Sequence, residues 1–442
     1  MRTFCTVLVA GVTACAGASG QTQLDLAGAI GEAVAKNPEL AAARARIEAA
    51  TGRALQSRAW PNPTLELSSE ELPPHRGGFS DAQNMVGVAQ TVPFPGKKQL
   101  DARIGAQGLT AAEWEYFSRE LELVRDVKIA FYRALGAQKK LAVTEQLAEL
   151  AGSTAAAARK RVEAGAAPDQ EQLRAEIEHD RAVAELAIAR RDVAEALKTL
   201  AALMGRPRDP LGALAGELTA QAQRPDLDQA RDQMLARHPN VRAALAHRER
   251  AELELRRAKL DPYPDVTFGI AGGHGGYPNE ALMAFRISIP LPLLDRSQGR
   301  QREARALADI ARHDLSATEL RLTRDLAVVD ERLKAAAEQV ETYRTHILPK
   351  SEAASRLVRT GYEAGKFGLL DILDTQRTRV EVQLAYYDRL LELNTAQAEL
   401  EALLAKNLSA TPARLRGFNA SKLLREEDNP PPKPLGTKEG KR

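Results

Sequence analysis

The chain of 442 residues has little of several things, and each shortage excludes something. It has two cysteines, Cys5 and Cys15, both at the extreme N-terminus. Everything beyond them is therefore without disulfides, Cys-based metal sites or a thiol nucleophile. Aromatic residues make up only 4%, too few for a large globular core, which leans on Phe, Tyr and Trp. Past the N-terminus no apolar run approaches the roughly 18 residues that a spanning helix needs. If the chain crosses a membrane, it does not do so with helices. Net charge is small too. Sixty-two Lys and Arg against 59 Asp and Glu leave +3, without the basic excess or stripe of a nucleic-acid-binding protein. Phosphate-binding glycine loops, zinc-protease helix motifs and nucleophile elbows are also missing. The histidines are scattered, with no i,i+4 pair and no ligand cluster. No enzyme, no cofactor and no metal site is expected.

What the chain has is Ala and Leu, together with Glu, Arg and Gln. That is the composition of long, closely packed helices. The N-terminus reads as an export signal: Met1-Arg2, an apolar stretch from Thr3 to Ala14, then small residues through Gly20. Two processing schemes stand open. Cleavage after Gly20 would remove residues 1–20. Alternatively Val12-Thr13-Ala14-Cys15 is a lipobox, residues 1–14 leave, and Cys15 is lipidated. Either way the mature chain is exported.

The chain then repeats itself. Asn37-Pro38 recurs as His238-Pro239 and Pro61-Asn62-Pro63 as Pro262-Tyr263-Pro264, each 201 residues on. Glu163-Ala164-Gly165 recurs 200 residues on as Glu363-Ala364-Gly365. Three landmarks at nearly one offset predict two copies of one unit, 21–220 and 221–410, followed by a polar tail, 411–442. The Pro-rich, mixed-charge composition of that tail predicts disorder. Each copy reads as helix, Pro-bounded β-hairpin, long helix, Gly turn, helix.

In the first copy a helix is predicted from Leu24 to Ala59, stopped by the prolines at 61 and 63. A β-hairpin follows over 64–92. A helical hairpin over 97–204 comes next, with no proline from Lys97 to Ala167. Such a helix would run on the order of 100 Å, a length found in tubular or coiled-coil assemblies rather than globular domains. Asp169 is the expected N-cap of the return helix, and Gly205 its end. On that helix Val183, Leu186, Val193, Leu197, Leu200 and Met204 follow a heptad seam. In the second copy the hairpins are expected at 265–290 and 296–408, with Pro349 breaking the first long helix. Tyr386, Leu390, Leu393, Leu400 and Leu404 form its seam, and Leu384, Tyr387 and Leu391 a second stripe on another side. Two seams on one helix suggest neighbours on both sides, as in a ring.

The strands of the second copy alternate cleanly, with Val266, Phe268 and Ile270, then Met283, Phe285, Ile287 and Ile289, on one face. Their length suits a tilted strand crossing a bilayer, and the alternation suits a barrel wall. Four strands cannot close a membrane barrel, whose minimum is about eight. An open edge cannot sit in lipid with unsatisfied backbone groups. The chain must oligomerise, or the strands are not in a membrane.

This set of features resembles the TolC-type outer-membrane efflux ducts, over about Leu24 to Leu408. The residues that carry the resemblance are Lys36-Asn37-Pro38-Glu39-Leu40, Pro61-Asn62-Pro63, Pro95-Gly96-Lys97, Pro290-Leu291-Pro292 with Asp295-Arg296, and Tyr362 to Phe367 leading into Leu370-Asp371-Ile372-Leu373-Asp374. The Pro-Asn-Pro and Pro-Gly-Lys versions are most similar to the heavy-metal branch, the cobalt-zinc-cadmium and copper-silver components. The resemblance implies a mainly α fold with transmembrane β-strands. It implies a homotrimer with a twelve-stranded β-barrel in outer-membrane lipid and a periplasmic α-barrel. It implies hairpin tips at Gly165, Ala166 and Asp169, and at Gly365, Lys366, Phe367 and Leu370. These would face a periplasmic adaptor and an inner-membrane resistance-nodulation-division pump. Asp371 and Asp374, three apart on one helix, face the same way. Family ducts place acidic gate residues here, and a ring of carboxylates favours cations. Arg377 and Arg379 are candidate partners for them. The implied function is passive conduction, of heavy-metal cations in this branch. The rival is a soluble periplasmic coiled-coil adaptor or scaffold.

Overall fold

The computed structural model describes residues 24–70, 82–208, 211–275, 280–364 and 366–406. The signal segment with Cys15, the loop at 73–78, Gly365 and the 411–442 tail lie outside the described residues.

The first expected helix is two. Helix α1 spans Leu26–Lys36 and α2 spans Pro38–Arg58, with Asn37 extended between them. Pro38 forces the residue before it out of α geometry but is well placed as the first residue of a new helix. The Asn37 side-chain oxygen accepts from the Glu39 and Leu40 amides at 2.8 and 3.3 Å, capping α2. In the second half α5 (Leu227–Arg237) and α6 (Pro239–Ala258) meet in the same way at His238, whose Nδ1 accepts from the Asn240 amide at 3.2 Å.

Strands β1 (Thr64–Glu70), β2 (Gln83–Val92), β3 (Val266–Gly275) and β4 (Glu280–Ser288) form one antiparallel sheet in the order β1-β2-β3-β4. The two hairpins are joined through β2 and β3, with Val88 opposite Ile270. Register aligns the large apolar residues. Leu65 faces Val88, Val88 faces Ile270, and Ile270 faces Phe285. All four are exposed on the convex face. The concave face carries small residues, Gly87, Ala89, Gly269 and Ala271. Over them Arg286 of β4 reaches Glu66 of β1 at 3.0 Å, from one sheet edge to the other.

Helix α3 runs unbroken from Lys97 to Glu163, 67 residues. The return helix α4 (Asp169–Leu203) starts one residue earlier than expected. Pro168, with φ fixed at −76° and ψ 152°, takes the N-cap position, and Asp169 is the first helical residue. There it still complements the helix dipole. Past α4, Gly205 has φ +75°, and a Cβ on it would stand 2.6 Å from the Lys36 carbonyl oxygen. Only glycine fits.

In the second half Pro349 does not break the helix. Helix α7 (Gln298–Thr342) passes through a five-residue π turn, Tyr343–Ile347, into α8 (Leu348–Glu363). Proline lacks an amide proton and its ring collides with the carbonyl four residues back. The wider turn, closed by the Leu348 amide on the Tyr343 carbonyl, carries the helix past the proline ring without ending it. Helix α9 (Leu369–Leu403) returns.

Helices line up in four tracks. Away from the sheet α3 packs between α4 and α9, and α9 between α3 and α7. Nearer the sheet α3 packs between α2 and α6, and α6 against α7. So α3 and α7 run through both levels, whereas α4 gives way to α2 and α9 to α6. At the first changeover the Asn37 side-chain amide donates to the Leu203 carbonyl at 3.0 Å. At the second, His238 and Asn240 share a cleft of about 310 Å³ with Ala402 and Leu403.

Two core belts lie at this level, one per half. One joins Ala29, Ala33, Phe131, Leu200 and Met204, and the other joins Met234, Val241, Leu333, Leu393 and Leu400. Elsewhere helix contacts are mostly alanine, as at Ala148, Ala151 and Ala182. Close helix approach through alanine accounts for the few aromatics. The α4 seam departs from a strict heptad at Val183, which is exposed while Ala182 is buried. A straight 3.6-residue helix drifts about 20° per heptad, so over the three heptads from Met204 back to Val183 the drift of about 60° is enough to put Ala182 nearer the seam. The second stripe of α9 does find a neighbour: Leu384 and Leu391 line a groove with residues of α3 and α4.

The candidate periplasmic mouth

The end of the molecule farthest from the sheet is built by two helix turns. Helix α3 closes with Gly165 at φ +69°. The Gly165 amide donates to the Val162 carbonyl at 2.9 Å and the Ala166 amide to the Arg161 carbonyl at 2.8 Å. This is the paired bonding of a Schellman turn, which satisfies carbonyls that the helix end would otherwise leave open. Helix α8 ends with the same outer bond, Lys366 amide to Gly361 carbonyl, 2.7 Å. Phe367 and Leu370 are exposed, and the Phe367 ring lies over Gly361.

The two tips are joined. Arg161 of the first donates to the Tyr362 hydroxyl of the second at 2.8 Å, and pairs with Glu171 at 3.4 Å. Beneath them Ala155, Ala158, Ala175 and Leu369 form a small core with Tyr362 and Leu373 packed against it. Two further ties connect the halves. Near the sheet the buried Lys97 ammonium meets Asp265 at 2.8 Å, and Asp265 also accepts from the Phe94 amide. At mid-level Lys128 pairs with Glu401.

Asp371 and Asp374 are both exposed on the first turns of α9. They differ in how they are held. The Asp371 carboxylate accepts from the Gly368 amide at 2.8 Å, the reach-back half of a capping box. Asp374 has no hydrogen bond or ion pair among the described residues. The two arginines expected beside them go elsewhere. Arg377 pairs with Glu381 at 3.0 Å, one helical turn on, where the i,i+4 spacing puts it in easy reach. Arg379 lines an open groove of about 590 Å³ with Ser153, Thr154, Tyr362 and Thr375, and its Nε is buried without a partner.

Sequence reasoning missed Arg161–Tyr362 and Lys97–Asp265. The repeat offset held the signal. Aligning 161 with 361 and 64 with 265 puts a charge in one half opposite a different residue in the other. Among the described residues no group of three or more His, Cys, Asp or Glu is placed to hold a metal ion.

The family model described as outer membrane efflux protein matches residues 29–206 and 220–406. The chain is 28% identical, over 389 residues, to the cobalt-zinc-cadmium resistance protein CzcC of Cupriavidus metallidurans, covering 87% of this chain and 90% of that one. It is 27% identical over 311 residues to the nickel-cobalt-cadmium resistance protein NccC of Alcaligenes xylosoxydans xylosoxydans, covering 68% and 70%. Its fold matches crystal structures of CusC, described in terms of transmembrane channel formation, with a TM-score of 0.74 at 16% identity, over 86% of this chain and 91% of that one. A duct is thereby favoured over a soluble adaptor, and conduction over catalysis. The chain belongs to the outer membrane efflux protein family.

Proposed function

We propose that three copies of the chain close into one duct through the outer membrane and periplasm, and that it carries heavy-metal cations outward. The observation that supports closure is a pair of open sides. On one stand β1 and α4, with Leu173 and Ile177 exposed. On the other stand β4 and the α7–α8 helix, with Leu307, Ile310, Leu320 and Leu357 exposed. A four-stranded sheet cannot stay open in lipid, because edge amides and carbonyls would have no partner. Three copies give twelve strands and a ring of helices, each open side meeting the next copy's opposite side.

In that ring the tips carry three copies each of Asp371 and Asp374 around one mouth, and grouped carboxylates favour cations. The two tips of each copy would meet a periplasmic adaptor, fed by an inner-membrane resistance-nodulation-division pump. The metal reading rests on the relatives, which are named for cobalt, zinc, cadmium and nickel resistance. The tip carboxylates are single and exposed, so we assign the choice of metal to the pump and passive conduction to this chain.

The test is native mass of the detergent-extracted protein together with cell fractionation and metal sensitivity of a deletion strain. A trimer from the outer membrane, with a strain sensitised to cobalt, zinc or cadmium, is the expected result. A water-soluble monomer defeats the duct; an unaltered metal tolerance defeats the substrate.

A further inference from the structure

The apolar stripe of β4 outlasts its pairing. Ser288 is the last residue of β4 paired with β3. Yet Met283, Phe285, Ile287, Ile289, Leu291 and Leu293 keep strict alternation, exposed by 72, 78, 65, 48, 72 and 72%. Leu294 adds 96%. The matching stretch of the first half, Pro93 to Lys97, behaves differently. There Phe94 stacks on Tyr263 at 4.8 Å, its amide donates to Asp265, and Lys97 is buried. One junction folds onto the protein, and the other turns leucines outward.

Length says where those leucines go. The convex face turns polar at its far end, where Asn84 pairs with His274 and His274 with Ala281, beside Glu280. At 3.3 Å per residue and a tilt near 40°, the stripe from Met283 to Ile287 covers only about 10 Å of an apolar band about 25 Å tall. The missing thickness must come from the other end, and continuing the extended chain to Leu291, where it turns, brings the stripe to about 20 Å. The backbone there suits a poorly hydrated place. Pro290 and Pro292 have no amide proton, and the Leu293 amide donates back to the Leu291 carbonyl at 2.9 Å. Trp60 and Tyr263 are exposed at the same end of the sheet, as aromatic residues are at a membrane–water boundary.

We propose that Pro290–Leu294 is a lipid-binding segment, seated in the periplasmic leaflet of the outer membrane as a continuation of the convex face. This rests on the duct reading above. The test uses the full chain in vesicles of phosphatidylethanolamine and phosphatidylglycerol. Single variants Ile287→Cys, Leu291→Cys, Leu293→Cys and Leu370→Cys carry a thiol-linked fluorophore, and the unsubstituted chain is the labelling blank. Labels at 291 and 293 are expected to lose fluorescence to nitroxide-bearing phospholipid, as the label at 287 does, and to resist aqueous iodide. The label at 370, exposed at the tip farthest from the sheet, is expected to do the reverse. If 291 and 293 respond to iodide like 370, or to neither quencher because a second copy covers them, the proposal is overturned while the result at 287 leaves the duct standing. If 287 itself is not quenched from the lipid, the duct reading falls and takes this one with it.

Discussion

Asn37 bonds to Leu203 across 166 positions of sequence, giving its side-chain amide to the last-turn carbonyl of one helix while its side-chain oxygen caps the next. One small side chain thus splices α4 to α2 with both ends of its amide group. Asn37→Ala removes an N-cap, worth about 1 kcal/mol, and a further hydrogen bond of similar value. A loss of about 2 kcal/mol is expected in denaturant unfolding. Asn37→Asp keeps the cap but loses the donor, and should recover about half.

The second splice is sensitive to acid. His238 is buried, and desolvation, with the Arg321 charge second, pushes its pKa down from 6.5 to about 4. The folded chain therefore holds it neutral, and the unfolded chain takes up the proton first. Stability contributed here is full above about pH 6.5, falls as pH drops toward 4 by at most about 1.4 kcal/mol per unit, and levels off below. Unfolding midpoints across that range should show the slope in the native chain and lose it in His238→Asn.

Ala405 stands where the first half has Gly205, and it holds φ +50°. A left-handed alanine is strained by about 1 kcal/mol relative to glycine. Ala405→Gly should raise the midpoint of thermal unfolding; an unchanged or lower value would contradict the strain.

Arg161→Ala and Tyr362→Phe each cut the tie between the tips. Both should raise single-channel conductance in planar bilayers, and the double variant should add little to either single one, as expected of two residues in one contact. Independent, additive effects would show that the contact does not restrain the mouth.

Asp374 is free where Asp371 is tied into a cap. Asp374→Ala should lower the cation-over-anion permeability ratio, most visibly at low salt where screening is weak. Asp371→Ala should also loosen the first turn of α9, seen as faster proteolysis near the tip. Equal ratios in both variants and the native chain would remove the gate role.

Most of the architecture was legible because it is written in punctuation. Prolines at 38, 61, 63, 239 and 264 and glycines at 165 and 205 stop elements wherever they fall. Hairpin limits followed from them to within a few residues. What stayed hidden depends on atoms brought together from distant sequence. Neither Arg161 nor Tyr362 looks special in its own helix. Arg377 is a different case: it was expected beside Asp371 and Asp374, although Glu381, four residues on along the same helix, was already within reach in the sequence. Pro349 misled for a related reason. A proline predicts a fault in the helix, and sequence does not say whether the chain will break there or widen by one residue.

The order of the four tracks has a mechanical consequence. Across the wall they read spliced, continuous, spliced, continuous: α4 with α2, α3, α9 with α6, α7. Masons stagger joints in this way so that no crack can follow a straight line. Here each butt joint is flanked by an unbroken helix, and three copies set edge to edge would keep the alternation around the whole circumference. A load applied at the tips must then shear a continuous rod before it can open a seam, even though half the rods are made of two pieces.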